Sequence, residues 1–97
     1  MAQPITVTRE DHGNQGGYYA AVPGTASQAV LTWTLQGNIR QADHTFVPDQ
    51  ARGKGIAMAL VQALVSDARD LGFRIDPQCS YVAAAFRRHP EWSGFLA

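Results

Sequence analysis

A chain of 97 residues, 45% of them apolar, is long enough to bury one hydrophobic core, and a single domain spanning residues 1–97 is expected rather than disorder. Lys plus Arg equals Asp plus Glu at 8 each, a balance that argues against a broad nucleic-acid-binding surface but leaves room for one compact anion site. The lone cysteine, Cys79, rules out an internal disulfide and a zinc site built from cysteine pairs, as suits a reducing compartment. With no apolar signal core in MAQPITVTRE and no stretch of membrane-spanning length, a cytoplasmic protein with no membrane partner, no nucleic-acid partner and no metal is expected.

In chain order, PITVTRE (4–10) alternates and carries β-branched residues, so it reads as a strand. DHGNQGG (11–17) reads as a turn, and YYAAV (18–22) as a second strand ended by Pro23-Gly24. AVLTWTLQ (29–36) is a third strand, with Leu31, Trp33 and Leu35 opposite to Val30, Thr32 and Thr34. Gly37-Asn38 signals a tight hairpin into a fourth strand, 39–47, closed by Pro48. The period then changes. Ala57, Leu60, Val61, Leu64, Ala68 and Leu71 mark one face of an amphipathic helix, and Gly72 stands where its C-terminal cap belongs. FRID (73–76) is a fifth strand, and YVAAAFRRH (81–89) a helix stopped by Pro90. Trp92 and Phe95 are expected to pack back on the core. The order β-β-β-β-α-β-α makes an α+β fold: an antiparallel meander, then a crossover helix that sets strands four and five side by side and parallel.

The helix begins at DQARGKGIA (49–57), where Gly53 and Gly55 are poor helix formers. An ordinary turn with Asp49 as cap is one reading. A phosphate loop of the Walker type needs four residues between its glycines and a hydroxyl after Lys54, where Gly55 stands. A dinucleotide fingerprint needs a third glycine where Met58 stands. The remaining reading is an anion cradle: unpaired helix N–H groups, approached over bare glycine backbone, with Arg52 and Lys54 adding charge.

Gln50-x-x-Gly53-x-Gly55-x-Ala57, between an antiparallel strand and an amphipathic helix, resembles the pyrophosphate motif of the GNAT N-acetyltransferases. His44-Thr45, Pro77-Gln78-Cys79 and Arg88-His89-Pro90-Glu91 resemble the short, stand-alone YjdJ-type branch of that superfamily. The resemblance is close in the second half and limited to strand order in the first. The two helices that larger relatives carry after the first strand are replaced by DHGNQGG. It implies a truncated GNAT-like fold binding acetyl-CoA through Phe46 and Val47 (thioester and pantetheine arm), Gln50, Ala51, Arg52, Gly53, Lys54, Gly55, Ile56 and Ala57 (pyrophosphate), with Arg88 able to reach the 3′-phosphate.

Acetyl transfer needs an activated amine, a polarised carbonyl and a stabilised leaving thiolate. Cys79, near a helix start, is either a core thiol or a nucleophile of lowered pKa, and in the resembled branch the matching cysteine is a candidate acyl acceptor. Tyr81 is either packing or the acid for the leaving thiolate. His44, which strict alternation puts on one face with Ala42 and Phe46, is either a sheet histidine or a base acting on the amine or on Cys79. Transfer to an unidentified amine, as a monomer or weak homodimer, is the expected function. A CoA-binding module without transfer is the alternative.

Overall fold

Among the described residues the order of elements is β1 (Val7–His12), β2 (Gln15–Ala21), β3 (Gln28–Gln36), β4 (Ile39–Phe46), α1 (Ile56–Leu71), β5 (Arg74–Pro77) and α2 (Ser80–Arg88), with short 3₁₀ turns at Asp49–Ala51 and Pro90–Phe95. The structure is a computed structural model that describes residues 5–22, 24, 26–51, 53 and 55–97, and of Gln50 the backbone only. One mixed sheet runs β1-β2-β3-β4-β5 in space. Its first four strands are antiparallel, and β4 and β5 are parallel neighbours as expected.

Both tight hairpins use the same device. Gly13 (φ 72°) and Gly37 (φ 59°) each take the first of two loop positions, ahead of an asparagine, the arrangement of a type II′ turn. The DHGNQGG segment is therefore a turn only at Gly13-Asn14; Gly16 and Gly17 lie inside β2. Ring packing explains them. A Cβ on Gly16 would come within 2.5 Å of the Trp33 ring, and one on Gly17 within 3.0 Å of the Tyr19 hydroxyl. These glycines make space on a strand, which composition alone had assigned to a turn.

One face of the sheet is buried. Tyr18, Ala20, Ala29, Leu31, Trp33, Ala42 and Ile75 pack there against Leu60, Val61, Leu64 and Ala68 of α1. Leu71, expected on that inner stripe, is 56% exposed, because it ends α1 just where Gly72 turns the chain in a left-handed cap. A polar chain runs through the same layer. The Arg40 guanidinium lies between the Trp33 and Phe73 rings, 4.1 Å from each centroid, and donates to the Tyr18 hydroxyl at 3.4 Å. Tyr18 donates to Asp67 of α1 at 2.8 Å, and Asp67 also accepts from Arg9 at 2.9 Å. At the C-terminus, Trp92 stacks on His89 and meets Phe86 edge-on, and Leu96 bridges to Ile75, so the tail packs back as expected.

Two irregularities shape the site. The β3–β4 register skips a residue, pairing Thr32 with His44 but Trp33 with Ala42, so Asp43 is a β-bulge. Facing partners share a face, so Thr45, opposite buried Leu31, lies on the same side as Ala42, while His44 and Phe46 lie on the other. This corrects the strict alternation expected for β4: one extra residue reverses its parity. The second irregularity is length. β5 pairs only with Ile39–Ala42, so beyond Ala42 the outer edge of β4 has no strand beside it among the described residues.

Candidate active site

The parting of β4 and β5 opens a cleft of about 410 Å³. Thr45 and Val47 from the end of β4 form one wall, and Tyr81 of α2 another. Ala51, Gly53, Gly55 and the first turn of α1 (Ile56, Ala57, Met58) close it. Six of the expected ligand residues (Val47, Ala51, Gly53, Gly55, Ile56 and Ala57) and one expected catalytic residue, Tyr81, thus line a single cavity. Thr45 and Met58 were missed. Thr45 could not be found by pattern, because the bulge turns it to this side.

The loop has a backbone reason for its glycines. Gly53 (φ 79°) and Gly55 (φ 78°) both adopt the left-handed conformation, which a side chain would strain. A Cβ at either would meet nothing within 4 Å among the described residues beyond its chain neighbours. Gly55, not Asp49, is the N-cap of α1; it offers no side-chain cap, and the first turn holds no acidic residue. The helix start therefore presents a partial positive charge and uncapped N–H groups toward an open, bare surface. A helix start of this kind beside a free strand edge is the type of surface that could hold an anion joined to an apolar arm. Arg52, Lys54 and the Gln50 side chain lie outside the described residues.

Cys79 stands where the two strands part. Its N–H donates to the Ala42 carbonyl at 2.8 Å, and its thiol donates to Thr45 Oγ1 at 3.4 Å, directly behind the cleft wall. It is the N-cap of α2. Burial acts to raise its pKa, but the Thr45 hydroxyl, whose proton can turn toward the thiolate, and the Val82 and Tyr81 amides outweigh this, and the net shift is downward. The sulfur makes no capping bond in the helix, so the contribution of those amides is that of a nearby field rather than of a formed cap.

Cys79 itself, behind Thr45, is not in the cleft lining, and three further expected residues are not brought to the cleft. His44 is exposed on the opposite sheet face from Thr45, and so from the side of β4 where Cys79 sits. The Phe46 side chain, 51% exposed, points to that same opposite face, which leaves only its backbone at the free edge. Arg88 is exposed at the far end of α2, about 13.5 Å along the helix from Cys79. Among the described residues no three His, Cys, Asp or Glu side chains come together as metal ligands, and no helix is long and apolar enough to cross a membrane.

The family model for the GCN5-related N-acetyl-transferases matches residues 17–95, and the chain belongs to that family. Acetyl transfer with acetyl-CoA as co-substrate is that family's general activity. The fold is similar to that of a GCN5-like candidate N-acetyltransferase from Staphylococcus aureus, solved in solution by NMR. The TM-score is 0.70 at 22% identity, over 93% of this chain and 87% of that one.

Proposed function

We propose that the chain transfers an acetyl group from acetyl-CoA to an amine, holding the pyrophosphate at the start of α1 and passing the acetyl group through Cys79. The observation that carries this reading is the coincidence, at one strand split, of an uncapped helix start behind two left-handed glycines and a thiol of lowered pKa. Acetyl-CoA supplies the activated thioester. Backbone groups of Phe46 and Val47 on the free edge of β4 hold its arm. The Cys79 thiolate attacks the acetyl carbonyl; the carbon–sulfur bond to CoA breaks, and the CoA thiolate takes a proton from Tyr81. The amine then attacks acetyl-Cys79, the thiolate leaves, and the amine's proton returns through solvent or Tyr81. The resemblance of the second half, including Pro77-Gln78-Cys79, is what supports reading the chain as one of the short stand-alone branch of the family.

The test is intact mass after incubation with acetyl-CoA, for the natural sequence and for Cys79→Ala. An acetyl adduct lost in the variant is the expected result. CoA-induced heat stabilisation without an adduct would replace the two-step route with direct transfer or with CoA binding alone. No stabilisation by CoA would overturn the cleft assignment.

A further inference from the structure

The face of the sheet turned away from α1 is open. Among the described residues of β1 to β4, none of its side chains is buried: Glu10, His12, Phe46 and His44 are exposed, and Tyr19, Val30, Thr32 and Thr34 are half-buried. Within this face lies a hollow of about 320 Å³, whose lining includes His12, Gln15, Tyr19, Thr32 and Asp43. Two of these residues are held in unusual ways. Tyr19 leans along its own strand over Gly17, where a Cβ would come within 3.0 Å of its hydroxyl and 3.1 Å of its ring. It thus presents an aromatic surface on the floor of the hollow. Asp43 is the bulged residue of β4, and the bulge turns its carboxylate to this side, where it accepts the Thr34 hydroxyl at 2.6 Å. A second carboxylate, Glu10, stands behind His12 at 3.2 Å. No lysine or arginine is among the described lining residues.

An aromatic surface and a fixed carboxylate, with no lysine or arginine among the described lining residues, make a receptor for an organic ammonium group. The position matters as much as the chemistry. Asp43 is the first residue past the point where β5 ends, so beyond it only the thickness of β4 separates the hollow from the cleft side. From Asp43 to Thr45 is two residues, about 7 Å along the strand. We propose that this hollow is the acceptor's docking place, and that it selects an amine carrying a second positive charge: the distal ammonium rests on Tyr19 and Asp43 while the reacting amine reaches past the free edge of β4. The inference rests on the transfer reading given above.

The test compares 1,8-diaminooctane, long enough to pass the edge of β4, with n-octylamine as acceptors, by CoA release from acetyl-CoA and by amide NMR shifts. The diamine should be preferred by roughly tenfold in kcat/KM, chiefly through KM. Without CoA it should shift the amides of Tyr19, Thr32 and Asp43. Both the preference and the shifts should collapse in Asp43→Asn, which keeps an acceptor for Thr34, and in Tyr19→Ala. Equal use of the two amines, or a preference that survives Asp43→Asn, overturns the docking place while stabilisation of the natural sequence by CoA leaves the cleft assignment standing. Loss of that stabilisation overturns the acceptor role together with the cleft.

Discussion

Cys79 illustrates how little a residue's type says about its chemistry. A half-buried thiol would ordinarily be harder to ionise. Here a hydroxyl at 3.4 Å and the start of a nine-residue helix act the other way, and the net direction is down. Alkylation by iodoacetamide should therefore persist to lower pH than for a free thiol, because the reactive thiolate survives further into acid. Thr45→Val removes the hydroxyl at nearly constant volume, and the midpoint of that profile should move up. An unchanged midpoint would mean that Thr45 does not govern the thiol. The sequence showed Cys79 and its closeness to a helix start. It could not show Thr45, because the partner lies 34 residues away and faces Cys79 only through the bulge at Asp43. His44 marks the same limit from the other side: alternation is a local rule, and one inserted residue defeats it.

At the level of elements, α1 is open at its start and tied down along its length. Ala57→Asp would place a carboxylate in its uncapped first turn. That favours the helix but repels a bound pyrophosphate. We expect the melting temperature to hold or rise while CoA affinity falls by roughly tenfold or more, read by calorimetric titration. Equal affinity would dissociate the helix start from the ligand. Unlike a bulky substitution at Gly53, this variant adds no left-handed strain. Farther along, the Tyr18–Asp67 bond fastens α1 to β2. Burial, then the bond to Asp67, raise the Tyr18 pKa, so the folded state favours the neutral phenol. The sign follows: this contribution is complete below the unfolded phenol's pKa of about 10 and is lost as pH rises through the folded value. Above about pH 10 the denaturation midpoint of the natural sequence should fall more steeply than that of Tyr18→Phe. Parallel curves would show that the buried phenol is not the titrating group. These elements were legible because their signals are periodic or punctuated: the α1 stripe, Gly72 at its end, Gly37-Asn38 between strands. Gly16 and Gly17 were misread because a glycine that opens a turn and a glycine that yields to a ring look alike in sequence; only the Trp33 and Tyr19 rings tell them apart.

For the whole molecule, the sheet order repeats the chain order, and four of the five strands join through local hairpins or a short connection. The exception is β4 with β5, whose partners, such as Ile39 and Arg74, are separated by all of α1. Contacts between residues distant in sequence carry the greater closure cost and form later. The meander is thus expected to assemble first and the parallel pair last. The site at the split would then be the last part of the molecule to form and the first to open. Amide exchange should reveal it: the Cys79 N–H, bonded to Ala42, and the β5 amides should exchange faster than those of β2 and β3. CoA should slow the first group selectively. Uniform protection across the sheet would contradict that order. The short reach of β5 along β4, introduced above as the opening of a cleft, therefore also sets a kinetic weak point, and a ligand bound there would act as the clasp that the strand itself lacks.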